Sequence, residues 1–303
     1  MASQTLNLRQ DLTDYAFGVA QDEAKVLALA NAIAPVVPTG SSLVTYATFN
    51  GDNAFQAYNA RRGVGGKAQR VLFGADTGTV DLGANALEIG IDDQERERAG
   101  GAFSILEQAK VKSLVLNAYL SHAKEVVTVF QAGVAAQAGK GKWSEANVDP
   151  IDQIDEQIDA IARYGMPNRL ILDIGAWRLA KNNPLVKARF AGKGFGLQDF
   201  ASQLLNPSIQ IELTAVGINT YGAFNASSTK KALLGSECIV MHSSDAPTPY
   251  DPSAVKTFAT RAELFAGVST YRDDATRSDI YALDWTAKPV VISALLARRI
   301  TVS

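Results

Sequence analysis

The chain has 303 residues, 47% of them hydrophobic, and a formal net charge of −2. It can bury one large core or two modest ones, and the near-neutral balance excludes the strongly basic character of a general nucleic-acid binder. Cys238, the single cysteine, excludes an intrachain disulfide and a thiolate metal cluster, and no run of about 18 apolar residues offers a membrane span.

Residues 1–20 show no basic start leading into an apolar run, so a protein made in a reducing cytoplasm is expected. They are polar, weakly patterned and read as an extended arm. A short amphipathic helix follows, with Val26, Leu29, Ala30 and Ile33 at helical spacing, ended by Pro35 and Pro38. These first 38 residues show no obvious core of their own.

Between Thr39 and Asp93 the chain carries nine glycines and no proline. Leu43 to Phe49 and Gln69 to Phe73 read as strands, Val80 to Ile91 alternates irregularly, and Gly63, Gly65 and Gly66 mark a tip. The stretch holds too few contiguous apolar residues for a domain, so its packing partners are expected on another subunit. Charge divides along it. Arg61, Arg62, Lys67 and Arg70 cluster with no acid between Asn53 and Ala75, whereas the next limb carries Asp76, Asp81, Glu88, Asp92 and Asp93. A basic tip on an acidic stem suits docking on an acidic surface of a second copy.

After Gly100 and Gly101, Ala102 to Phe130 reads as one helix of about 43 Å. Val111, Leu114, Val115 and Ala118 form one apolar stripe and Leu116, Leu120, Ala123 and Val127 a second, separated by Lys110, Ser113, Asn117, Ser121 and Lys124. Such a two-faced helix is expected to be sandwiched. Gln131 to Trp143 reads as a small-residue linker. Asp149-Pro150 then opens a helix with Ile151, Ile154, Ile158 and Ile161 as its buried stripe and Gly165 as its stop. A strand over Arg169 to Ile174, short helices over Ala176 to Lys181 and Leu197 to Leu205, and a strand over Ile209 to Val216 complete an α/β region reaching Met241. Beyond it, Ala254 to Tyr271 and Ser278 to Trp285 read as long strands joined by a polar turn, with Tyr281, Leu283 and Trp285 on one face, and further strands follow at Pro289 to Ser293 and Arg299 to Val302.

Few residues converge on chemistry. Asp152, Asp155, Glu156 and Asp159 share one helix face and could take a hard cation, but a solvated or inter-subunit face is the preferred reading. The glycine–lysine runs at 65–67, 139–142 and 192–194 lack the spacing of a phosphate loop. His122 and His242 stand far apart in the chain, and no Gly-x-Ser-x-Gly elbow accompanies Ser243 and Ser244. Both histidines and Cys238, inside Glu237-Cys238-Ile239-Val240-Met241, are expected to be structural.

The order of these pieces resembles a tailed-bacteriophage major capsid protein. The strongest local stretches are Asp149-Pro150 with its isoleucine helix and Gly165-Met166-Pro167-Asn168-Arg169-Leu170-Ile171-Leu172. Trp177, Asn183-Pro184-Leu185-Val186, and Ser236 to Phe258 with its prolines at 247, 249 and 252 extend the likeness. The resemblance implies an α+β, HK97-like capsid fold: an N-terminal arm with a short helix (1–40), an extended loop (41–92), a peripheral-domain spine helix and linker (93–142), an axial α/β domain (143–245), and peripheral antiparallel strands with a return to the axial domain (246–303). It implies a non-enzymatic coat protein, without cofactor or metal, that forms hexamers and pentamers of an icosahedral head around double-stranded DNA. The implied partners are other copies of the chain, scaffold, portal and decoration proteins, and packaged DNA touched nonspecifically, but no membrane. The implied location is the virion capsid, assembled in the host bacterial cytoplasm. Inter-subunit contacts fall to Arg61, Arg62, Lys67 and Arg70 at the loop tip and to Asp152, Asp155, Glu156 and Asp159 on the acidic helix, with Lys67 also a candidate for cross-linking to a neighbour's asparagine. An encapsulin-type compartment shell is the alternative within this fold, and a metal-dependent α/β enzyme using helix 152–159 is the alternative from another class.

Overall fold

The computed structural model describes residues 7–22, 24–49, 57, 59–70, 76–137, 141–219, 230–265 and 267–302. In chain order the elements begin with β1 (Asn7–Leu8), α1 (Gln10–Asp22), α2 (Ala24–Ile33) and β2 (Val36–Pro38). The glycine-rich stretch gives β3 (Leu43–Thr48), β4 (Asp76–Asp81) and β5 (Ala84–Asp92), followed by α3 (Asp93–Ala99), a single 3₁₀ turn at Gly100–Ala102 and α4 (Phe103–Gly133). Then come β6 (Ala136–Gln137), α5 (Pro150–Ala162), β7 (Arg169–Asp173), α6 (Ile174–Asn182), α7 (Pro184–Arg189), α8 (Leu197–Ser202), β8 (Gln210–Thr214), β9 (Gly217–Asn219), β10 (Lys230–Ala232) and β11 (Glu237–Met241). The last strands are β12 (Val255–Ala259), β13 (Val268–Asp273), β14 (Ser278–Val291) and β15 (Ala297–Thr301).

Two main sheets organise these elements. One runs β1-β13-β14-β12-β2, with β5 also pairing β14; the other runs β6-β15-β11-β7-β8. The α4 helix links them, about 46 Å long for its 31 residues. Its N-terminal half contributes Val111, Leu114, Val115, Ala118 and Tyr119 to a cluster with Tyr281, Leu283 and Trp285 of β14. Its C-terminal half packs Ala123, Val126, Val127 and Phe130 against α2, Ile171 of β7 and Ile239 of β11. The sandwiching expected for this helix is present, and Ser113, Asn117, Ser121 and Lys124 stay exposed. Leu116 and Leu120 are only half-buried, so the second stripe is partly open. The end of α4 lies so close to β14 that a Cβ on Gly133 would stand 2.5 Å from Val291 Cγ2.

Beside the second sheet, α5 starts where its residues dictate. Asp149 Oδ1 accepts from Ile151 N at 2.9 Å and Pro150 occupies the first turn. Ile151, Ile154, Ile158 and Ile161 are fully buried against Leu170, Leu172 and Val240. Asn183 joins this unit together. Its side-chain amide donates to the carbonyls of Trp143, Glu145 and Val148, and its oxygen accepts from Leu185 N and Val186 N at the start of α7. Pro184 therefore opens a helix as well as closing the preceding one.

Three readings of the sequence change. Residues 10–22 are helical rather than an extended arm, because Leu12, Ala16 and Val19 bury against α4 and β14 while β1 pairs β13. The strand expected over Ala254 to Tyr271 is two strands, and the segment 260–265 between them turns aside and buries Leu264 and Phe265. The acidic limb is only partly an outlying stem: β5 lies in the six-stranded sheet, paired with β14 from Asp92↔Ser278 to Ala84↔Thr286. The strand expected at Gln69 to Phe73 falls mainly outside the described residues, and Gln69 and Arg70 are not in a strand.

Candidate assembly surface

The outlying part of the glycine-rich stretch is a separate two-stranded hairpin, β3 with β4. Its base is fastened to its own subunit. Val44, Val80 and Leu82 bury against Val37, Phe258 and Ile292, and the Tyr46 and Phe258 rings stand 5.3 Å apart. Tyr46 also lies across Gly78, where a Cβ would come within 2.5 Å of the ring. Glycine is therefore required at 78 by close approach. Ala47 N donates to Pro249 O and Ser293 Oγ to Phe49 O, tying the hairpin to the loop before β12 and to the end of β14.

That loop rests on a buried lysine. The Lys256 side chain has no exposure, and its Nζ donates to Thr248 O at 2.5 Å, Asp251 O at 2.6 Å and Asp251 Oδ1 at 2.9 Å. Burial lowers the Lys256 pKa, opposed by the Asp251 carboxylate. Asp251 also accepts from Thr248 Oγ1 and Ser253 Oγ, and Ser253 Oγ in turn accepts from Ser244 N. Sequence reasoning did not single out Lys256. The available signal was a lysine within Val255-Lys256-Thr257-Phe258-Ala259, a strand whose five residues are all buried.

Residues 59–70 are all exposed, including Arg61, Arg62, Lys67, Arg70 and the apolar Val64. Gly66 N donates to Gly63 O at 3.0 Å, closing a turn in which Gly65 takes φ +78°, a left-handed value that favours glycine. Among the described residues, none of the four cations has an ion-pair partner. The acids of the following limb divide. Asp76 and Asp81 are exposed, Glu88 accepts from Tyr271 Oη, Asp92 caps α3, and Asp93 pairs with Arg272.

The second group of candidates does not sit with the first. Asp152, Glu156 and Asp159 are exposed on α5, and Asp159 lies 3.7 Å from Arg163. Asp155 is half-buried and accepts from Leu205 N at 2.8 Å; burial raises its pKa. Among the described residues no three His, Cys, Asp or Glu side chains are grouped to hold a metal ion. His242 Nδ1 lies 2.8 Å from Met166 O, which makes Nδ1 the protonated nitrogen, while Ser243 is fully buried with its backbone bonded to the Asn168 side chain. An open groove of about 720 Å³ between α2 and β8 contains Arg169, Glu212 and Asp245, but Arg169 pairs with both acids. Cys238 is buried, and burial raises its thiol pKa.

No protein-family model matches the chain, and no curated protein matches it. Solved structures do. A phage-related protein from Bordetella bronchiseptica RB50 aligns with a TM-score of 0.74 at 20% identity, covering 99% of this chain and 98% of that one. A protein described as a prophage capsid protein, from E. coli CFT073, aligns with a TM-score of 0.56 at 10% identity over 99% and 100% of the two chains. The mature capsid of bacteriophage PhiM1 aligns at 0.52 and 12% identity over 88% and 83%. The chain thus has a mixed α+β fold shared with solved phage capsid proteins.

Proposed function

We propose that this chain is a structural, non-catalytic shell subunit, the major capsid protein of a tailed phage. The observation that carries the reading is the arm: a hairpin clamped to its own subunit at the base, with an exposed basic tip whose four cations find no ion-pair partner among the described residues. The whole-length fold likeness to phage capsid proteins supports it. In this reading residues 41–92 form the extended loop, α4 is the spine of a peripheral domain covering 93–142 and 246–303, and 143–245 is the axial domain at the capsomer centre. Within the N-terminal arm, α1 and α2 brace the spine from within the same subunit. The tip docks on an acidic surface of an adjacent copy, with Asp152, Asp155, Glu156 and Asp159 as further contacts between copies. Hexamers and pentamers close an icosahedral head around double-stranded DNA in the host cytoplasm, with scaffold, portal and decoration proteins as partners.

Electron microscopy of the protein expressed with its neighbouring genes tests the reading. Closed shells holding nuclease-protected DNA are the expected result. Empty or protein-filled shells would favour a compartment protein, and a small oligomer with metal-dependent turnover would overturn the shell reading. Replacing Arg61, Arg62 and Arg70 by glutamate should leave the subunit folded, because exposed side chains contribute little to its stability. Shell yield should fall sharply. Shells of unchanged yield and stability would remove the docking role from the tip.

A further inference from the structure

The α3 helix is unusual in that none of its seven residues is buried. No apolar face holds it down, and a helix this short is not stable by itself. Apart from a backbone bond from Asp93 N to Arg277 O, what holds it is charge. Asp93 receives both Arg272 Nη atoms at 2.7 and 2.6 Å, Arg96 pairs with Asp279, and Glu95 pairs with Lys110 Nζ of α4 at 3.0 Å. Arg272 also lies 3.2 Å from Asp279, so β13, α3 and β14 share one ionic lattice. Asp92 and Glu95 complete a capping box at the start of the helix, and the Arg96 guanidinium sits 4.9 Å from the Phe103 ring centroid.

The far end of α3 is a joint. Gly100 takes φ +49° and ψ −121°, with nothing within 4 Å of where a Cβ would stand, and Gly101 is equally open. Ala99 on one side and Phe103 on the other already have helical backbone. The link between α3 and α4 is therefore free of packing at its two glycines.

We propose that α3 is a releasable ionic clasp: the Asp93–Arg272, Arg96–Asp279 and Glu95–Lys110 pairs hold the helix against β13, β14 and α4, and breaking them lets it unwind between its two anchored ends, Asp92 in β5 and Phe103 in α4, while both sheets stay intact. In a shell, identical subunits meet neighbours at more than one angle, and an exposed segment that unwinds without repacking a core can adapt to that difference. That use rests on the shell reading; release itself does not, and is measured on the unassembled subunit.

Each pair is exposed or half-exposed, so the attraction is modest and salt-sensitive. Hydrogen–deuterium exchange of the purified full chain reads the clasp through amides 94–101, with the β14 amides 278–291 as internal reference. Raising sodium chloride from about 0.05 M to about 1 M shrinks the screening length from roughly 14 to roughly 3 Å and should speed exchange at 94–101 about ten-fold while β14 is unchanged. Arg272→Gln should give part of that acceleration at low salt and reduce the salt response, and Arg272→Lys should restore part of the protection. Protection at 94–101 that ignores salt, or that falls only together with β14, would overturn the proposal. Failure of Arg61/Arg62/Arg70→Glu shells with a normal clasp would touch the shell reading alone.

Discussion

Replacing Lys256 by methionine tests whether the buried lysine fixes the ground on which the arm stands. Methionine keeps most of the aliphatic stem, so the packing of β12 survives and the three hydrogen bonds from Nζ are lost. Bonds made by a charged donor are worth about 1.5–3 kcal/mol each, but withdrawing an ammonium from water costs several kcal/mol, so the sum is not the net. Removing one partner of a buried pair typically destabilises by about 3–5 kcal/mol. Here Asp251 keeps donors from Thr248 and Ser253, and its side chain is 21% exposed, which lowers the expectation to about 2–3 kcal/mol. At roughly 2–4 °C per kcal/mol for chains of this order of size, the melting temperature should fall by about 5–10 °C. Urea unfolding measures the loss, and hydrogen exchange localises it: amides 43–48 and 76–81 should lose protection before those of β11. A Lys256→Met protein as stable as the parent, or more stable, would mean that desolvation of the ammonium cancels its bonds. The lysine would then not be the pin. Combining Lys256→Met with Asp251→Asn should cost at least about 1 kcal/mol less than the two changes summed, since they remove one interaction.

Further outcomes follow from other sites. His122 is buried without a hydrogen-bond partner among the described residues, and burial lowers its pKa from 6.5 to about 4. The unfolded chain therefore takes up a proton between these values that the folded chain refuses. Its contribution is full above pH 6.5 and is lost as pH falls towards 4, by about 3 kcal/mol. Urea midpoints across that window should show the decline, and His122→Leu should flatten it. Gly133→Ala should cost about 1–3 kcal/mol in urea unfolding, because the new methyl meets Val291 at 2.5 Å where α4 touches β14; a neutral result would show that the contact yields freely.

Where sequence alone spoke clearly, one residue type did one local job. The Asp149-Pro150 start, the four isoleucines of α5 and the helix from about residue 102 follow from capping and periodicity, and the structure has them close to the expected places. Leu12, Ala16 and Val19 carry a helical signal too, but four polar or charged residues among the first five of α1 mask it. Long-range facts were illegible in principle. Nothing local to Ala84–Asp92 announces that its partner is Ser278–Thr286, and the irregular alternation there reflects a strand covered unevenly by α4 and β14. The exposed cations of the tip could be read directly from an acid-free stretch. The role of Lys256 could not, because a lysine is buried only when three acceptors converge from a loop several residues upstream.

The strand order of the two sheets has a consequence for when the subunit becomes competent. β14 lies between β13 and β12 and also carries β5, while β15 lies between β6 and β11, and these two are the last strands in chain order. Earlier strands leave the ribosome with their central partners not yet made. Closure of both sheets must wait until β14 and β15 have been made, then proceed through long-range pairings such as β1 with β13 and β5 with β14, a slow topology. Until then the unfinished chain exposes unpaired strand edges, the state most open to association between chains.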